Sequence, residues 1–215
     1  MKRQNLRCQG YILLTVSWVL LGTIVGVAQK QLTAAEIAAA GSFAGQEYSN
    51  ASLGFTMLAP GGWTFYTGEQ NQVSVEQNKQ IAAKTSDQNL VNAASNTQVL
   101  FQANPPKFIG QEKSALFSCG LETLKTPQTS LKYLEYNKGL IVTSGLKLTK
   151  DIFTVTYGNT SFAEFDVEGR RKEGTYRQRY IATVRKNIAV FIVITMFDNR
   201  QEEIVAASLK SIKFK

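Results

Sequence analysis

Hydrophobic and polar positions are patterned most clearly in the C-terminal part of the chain. Residues 160–168, 175–185 and 188–197 read as three successive strands. The stretch from Ile188 to Met196 is almost wholly apolar, which suits a central strand covered on both faces. Asp198 and Asn199 then cap a helix that runs to about Ser211. Ile204, Val205, Ser208, Leu209 and Ile212 fall on one stripe of that helix, which is the face it would bury.

Upstream the pattern is shorter-ranged. The folded domain is expected to begin at Tyr48, with a strand over 53–59 stopped by Pro60-Gly61-Gly62. Trp63 follows that reversal, where its ring would cover one end of the core or offer a platform to a ligand. Residues 70–95 are rich in Gln, Asn, Ala and Ser, and their weak periodicity predicts one or two short helices. Strands are expected over 97–103, 114–123 and 152–157. Between the last two, Thr126-Pro127 has the form of an N-cap and first helical residue. That helix would carry Leu131, Leu134 and Ile141 on one side and end at Gly139 or Gly145. The whole reads as α+β, an antiparallel sheet flanked by helices and closed by a C-terminal hairpin, strand and helix.

The charges of the hairpin sharpen this picture. Phe162, Glu164, Asp166 and Glu168 share one strand face, and Arg177, Arg179 and Ile181 share a face of the next. A loop over 169–174 would set Glu168 opposite Thr175, Asp166 opposite Arg177, Glu164 opposite Arg179 and Phe162 opposite Ile181. Such cross-strand pairs contribute about 0.2–1 kcal/mol each, and a one-residue slip would send the two rows to opposite faces. The rows then neutralise each other, and neither a Ca²⁺ site nor a phosphate site is needed to explain them. What stays unneutralised is the tip, where Arg170, Arg171 and Lys172 have only Glu173 beside them. These three residues, with Trp63, are the candidate binding residues of the chain.

The N-terminal segment has a pattern of its own. Lys2, Arg3 and Arg7 precede an apolar run over 11–27, and small residues stand at Gly26 and Ala28. This is the layout of a signal peptide over 1–28, followed by a flexible spacer or short helix over 29–47 and one domain over 48–215. The expectation is export, to the periplasm, cell envelope or exterior. The run is also close to the ~20 residues that span a bilayer, so retention as an anchor is the alternative. Cys8 lies before the run, on the wrong side for lipid modification. The first 28 residues hold three of the 24 basic residues and none of the 16 acidic ones, which leaves 21 against 16, a net charge of +5. That mild excess suits weak attraction to an anionic envelope component such as phospholipid or acidic glycan, with a solvated basic surface as the alternative, and the partner is an unknown protein or such a component. Export and the lack of interleaved aromatics argue against nucleic acid.

Composition removes many chemistries. The chain has no histidine, so His-based triads and His-ligated zinc are excluded. After the signal segment only Cys119 remains, in the apolar run Ala115-Leu116-Phe117-Ser118-Cys119-Gly120. It reads as a packed core thiol, with a nucleophile as the alternative. An enzyme would have to use Cys119 or a carboxylate pair. Ser144-Gly145-Leu146-Lys147 matches S-x-x-K without its companion elements. Asn50-Ala51-Ser52 and Asn159-Thr160-Ser161 match the glycosylation pattern. No nucleotide-binding glycine loop or metal-spaced cluster occurs, so no cofactor and no metal is expected.

The residues from Tyr48 to Phe55, followed by Pro60-Gly61-Gly62-Trp63, resemble the opening of PsbP-like and related bacterial domains. The ending is similar too, with a long hairpin, an apolar strand, a helix and Ser211-Ile212-Lys213-Phe214. The resemblance covers 48–215. It implies an antiparallel sheet flanked by helices, no catalytic residues, and a role as an assembly or interaction partner.

Overall fold

The computed structural model describes residues 32–66, 68–83, 91, 95–106, 115–171 and 174–215. The signal-peptide expectation over 1–28 lies outside them. Among the described residues no helix is long and apolar enough to cross a membrane.

The alternating and apolar segments form two antiparallel sheets. The smaller is built from β1 (Gly41–Ala44), β2 (Glu47–Asn50), β3 (Phe55–Leu58) and the C-terminal β11 (Lys213–Phe214), in that order. The larger has seven strands. They are β4 (Thr64–Phe65), β5 (Thr97–Asn104), β6 (Leu116–Thr123), β7 (Lys147–Tyr157), β8 (Thr160–Arg171), β9 (Gly174–Arg185) and β10 (Ile188–Met196), in the order β4-β5-β6-β10-β9-β8-β7. The apolar β10 is therefore central, between β6 and β9, as its composition requires. Four helices stand among the described residues: α1 (Ala34–Ala39), α2 (Gly68–Ala83), α3 (Ser130–Thr143) and α4 (Asn199–Lys210). The fold class is α+β, with the C-terminal hairpin, strand and helix in place.

Side chains alternate across β10, and each set meets a different layer. Val190, Ile192, Ile194 and Met196 join Phe101, Phe117, Cys119 and Phe162 in a core with residues of the small sheet, α1 and α4. On the opposite face Ala163, Phe165, Val167, Ala182 and Ala189 pack with Tyr133 and Leu134 of α3. The alanines on this face, two of them paired across strands as Ala163 and Ala182, leave room for the helix to approach. Asp198 caps α4 by accepting a hydrogen bond from the Gln201 amide at 2.9 Å, and Val205, Ser208 and Leu209 are its buried stripe.

The short helix expected in the spacer is present as α1, whose Ile37 is 5% exposed in the main core, and β1 pairs with β2; three other expectations are corrected. A single apolar residue among alanines gave no periodic signal, but one is enough to dock six residues of helix. Among the described residues the polar stretch after residue 67 includes a helix of 16 residues, longer than the short helices expected. The helix expected at Thr126-Pro127 starts later, capped by Thr129, whose Oγ1 accepts from the Lys132 amide at 3.2 Å. Its start is fixed from outside, because Ser130 Oγ accepts from the Val184 amide of β9 at 2.9 Å. Finally, β7 begins at Lys147 and reaches its full length through two irregularities, between Leu148 and Lys150 and between Lys150 and Phe153.

Candidate functional site

The hairpin β8–β9 keeps the expected faces but not the expected pairs. Asp166 stands opposite Arg179, Glu168 opposite Arg177 and Glu164 opposite Ile181, a shift of two residues. An even shift leaves every side chain on its own face, so the opposite charges still meet. The cause lies at Gly169, which is a strand residue opposite Tyr176 and not the start of a loop. A Cβ there would fall 2.3 Å from Cζ of Tyr176, so the bare glycine is the seat of that ring. Pairing continues to Arg170 opposite Thr175 and Arg171 opposite Gly174. Arg170 is exposed at the hairpin end, while Lys172 lies outside the described residues.

Behind this end the charges are consumed in a network. The Arg179 guanidinium donates from Nε to Asp166 Oδ1 at 2.9 Å and from Nη2 to Asp166 Oδ2 at 3.0 Å. Its Nε also lies 3.1 Å from Glu164 Oε1, and its Nη2 donates to Glu202 Oε1 of α4 at 3.1 Å. Arg177 Nη2 donates to Glu202 Oε2 at 2.9 Å and to Asn199 Oδ1 at 3.2 Å. Glu164 is only 3% exposed and accepts a further hydrogen bond from the Tyr157 hydroxyl. Burial raises the Glu164 carboxyl above its usual range, with the Tyr157 bond and Arg179 opposing that rise. The carboxylate pair is thus held by guanidinium groups and ties the hairpin to α4.

Trp63, the second candidate, is 5% exposed and belongs to the main core. Its amide donates to the Pro60 carbonyl at 3.1 Å, closing the Pro-Gly-Gly turn. One edge of the residue borders a cavity of about 480 Å³, lined also by Pro105, Pro106, Arg200 and Ile204. That volume is in the range of small-ligand clefts. Arg177 of the hairpin and the Trp63 cavity both meet the start of α4. Asn199 is bonded to Arg177 of the hairpin, and Arg200 lines the Trp63 cavity.

Other sequence candidates resolve into structure. Cys119 is fully buried between β5 and β10, and burial pushes its thiol well above the usual range. Ser144 caps the C-terminus of α3, with Oγ donating to the Ile141 carbonyl at 2.6 Å. Asn50 is 1% exposed and donates to the Ile37 carbonyl at 2.7 Å. Asn159 binds the backbone of Phe214, donating to its carbonyl at 2.9 Å. Among the described residues no group of three or more acidic, His or Cys side chains is arranged to hold a metal.

One arrangement gave no signal in the sequence. Between α3 and the sheet lies a cavity of about 170 Å³, lined by Glu122, Tyr133, Asn137, Tyr180 and Phe191 among others. The Tyr133 hydroxyl donates to Glu122 Oε2 at 2.9 Å, and burial raises the Glu122 carboxyl above its usual range against that bond. Phe191 reaches this position because Gly120 has no side chain: a Cβ there would lie 2.4 Å from Cζ of Phe191.

Comparison with known proteins concerns the fold. No protein-family model and no curated protein matches the sequence. The structure is similar to that of cyanobacterial PsbP (CyanoP) from Synechocystis sp. PCC 6803, with 12% identity and a TM-score of 0.48 over 81% of this chain and 98% of that one. It is also similar to a crystal structure from Bacteroides thetaiotaomicron VPI-5482, with 11% identity and a TM-score of 0.42 over 75% of this chain. The chain spans 45% of the length of that Bacteroides protein.

Proposed function

We propose that the chain is a non-enzymatic binding domain, exported to the cell envelope, that holds an anionic partner with the basic end of the β8–β9 hairpin. One observation carries the reading. Arg177 and Arg179 are engaged by carboxylates behind the hairpin end, whereas Arg170 is exposed in front of them. Arg171 follows in the strand, Lys172 follows in sequence, and the excess of basic residues supports the same sign of partner. The Trp63 cavity, beyond the start of α4, is the second contact of this reading. The partner is a protein or an anionic envelope component such as phospholipid headgroups, which the hairpin would meet at the surface; only residues 1–28, if these stay attached, would enter the bilayer as an anchor.

The test replaces Arg170, Arg171 and Lys172 by alanine together. Wild type and variant are compared on phosphatidylglycerol vesicles and, in a second arm, as baits in envelope extracts. A basic residue near an anionic surface contributes about 1 kcal/mol, so losing three lowers vesicle affinity by roughly a hundredfold at low salt. The circular dichroism spectrum should not change. A folded variant that matches wild type in both arms overturns the proposal.

A further inference from the structure

We infer that the cavity between α3 and the large sheet is a site for a small organic ammonium ion, with Glu122 as its counter-charge and the rings of Tyr133, Tyr180 and Phe191 as its walls. This goes beyond the hairpin contact and uses none of its residues.

The argument starts from the other face of the sheet. There a glutamate that accepts a tyrosine hydroxyl, Glu164 with Tyr157, is met by the Arg179 guanidinium at 3.1 Å. Glu122 with Tyr133 repeats the first half of that arrangement. Among the described residues no lysine or arginine pairs with Glu122. Its cross-strand neighbours are Thr97 and Ala189, which carry no charge. Tyr133 of α3 and Tyr180 of β9 are the other titratable groups lining the cavity.

The lining selects the ligand. A carboxylate calls for a cation, and aromatic faces within about 6 Å favour a weakly hydrated one. Tyr180 is held in place by stacking on Phe165, with ring centroids 4.9 Å apart and planes 7° apart, and by its hydroxyl, which donates to Gln178 Oε1 at 2.9 Å. Metal ions are disfavoured, because one carboxylate and apolar walls cannot replace a hydration shell of six or more oxygens. Size sets the limit. An engineered apolar cavity of about 150 Å³ takes benzene, so the volume of about 170 Å³ here admits a ligand of some six or seven heavy atoms. Small quaternary ammonium ions, with three or four methyl groups on nitrogen, meet all three conditions.

The experiment titrates the full chain with tetramethylammonium and with choline by calorimetry at neutral pH. The neutral isostere of choline, 3,3-dimethyl-1-butanol, is the third probe. The expected result is that a cation binds and that the alcohol binds at least tenfold more weakly, as loss of one charge-assisted contact implies. Glu122→Gln keeps the shape and the hydrogen bond to Tyr133, and weakens the cation by a similar factor. Glu202→Gln, on the other face, leaves the cation affinity unchanged. Melting temperatures follow the same order, rising with choline in wild type and in the Glu202 variant only. The inference is overturned if neither cation binds, if the alcohol binds as tightly as choline, or if Glu122→Gln binds choline as wild type does.

Discussion

Two glutamates sit on opposite faces of the same sheet, each accepting a hydrogen bond from a tyrosine hydroxyl. Glu164 receives Tyr157 and lies on the face covered by α4, whereas Glu122 receives Tyr133 and lies on the face covered by α3. Burial raises both carboxyls, and in both the tyrosine bond works against that rise. They differ in what meets the remaining charge. On the α4 face a guanidinium bridges three carboxylates, from β8 twice and from α4 once. On the α3 face there are aromatic rings and a cavity. A carboxylate whose cation belongs to the chain is a structural joint, holding the hairpin against the helix. One that faces a cavity contributes less to folding and is left to interact with something else.

The sharpest way to break this contrast is to remove the cation from the first site. Arg179→Met keeps much of the apolar stem but leaves Glu164 and Asp166 without their guanidinium. Breaking a buried pair from one side costs about 3–5 kcal/mol, and some exposure of Arg179 puts this site near the lower end, about 3 kcal/mol. Urea unfolding should show that loss as a lower midpoint with an unchanged slope. Arg179→Lys should recover little of it, since a point charge cannot replace a fork that reaches three carboxylates. A loss below about 0.5 kcal/mol would mean that the network behaves like a surface ion pair, and the contrast would fail.

How far the sequence revealed each site follows from what fixes it. The face of Glu164, Asp166, Arg177 and Arg179 was legible, because a period of two assigns faces without knowledge of partners. The pairs along the hairpin were not, since any even shift preserves the faces. The shift was decided by Gly169, whose role is to seat the Tyr176 ring and which looks like a loop residue in sequence. The α4 stripe and its Asp198 cap were legible for the same local reason. The cavity beside Glu122 was not. It arises where α3 spans the sheet at a distance set by alanines, and from Phe191 of β10 lying over Gly120 of the neighbouring β6. Neither residue is marked by a motif. Docking of α1 through the lone Ile37 escaped notice in a similar way, as burial of one side chain leaves no period to read.

A finer comparison removes each tyrosine hydroxyl in turn. Tyr133→Phe deprives Glu122 of the one side-chain donor it has among the described residues, while Tyr157→Phe leaves Glu164 with Arg179. A hydrogen bond to a charged group contributes about 1.5–3 kcal/mol, so Tyr133→Phe should cost about 1.5 kcal/mol. Tyr157→Phe should cost about half of that, because the guanidinium still serves the acceptor. Paired denaturation curves at neutral pH give both values. Equal losses would show that Arg179 does not compensate Glu164, and that the two sites differ less than their geometry indicates.

The smallest expected effect has the opposite sign. Burial raises the folded-state pKa of Glu122 above its unfolded value. Such a group favours the folded state fully below the unfolded pKa, and that contribution is lost as pH rises through the folded pKa. Above it, the ionised carboxylate sits in a partly desolvated place without a cation of the chain, and stability is lower than it would be with a neutral group. Glu122→Gln carries no charge and can still accept from Tyr133. It should therefore melt slightly higher than wild type at neutral pH, with the gain shrinking as pH falls through the raised folded pKa and gone below about 4.3, the unfolded glutamate value. Melting curves of both proteins across that window, in buffers free of ammonium ions, read the effect directly. A gain that stays constant with pH would come from packing and not from charge, and the uncompensated state of Glu122 would lose its support. A loss at neutral pH would mean that the ionised carboxylate is already stabilised within the fold, as Glu164 is by Arg179.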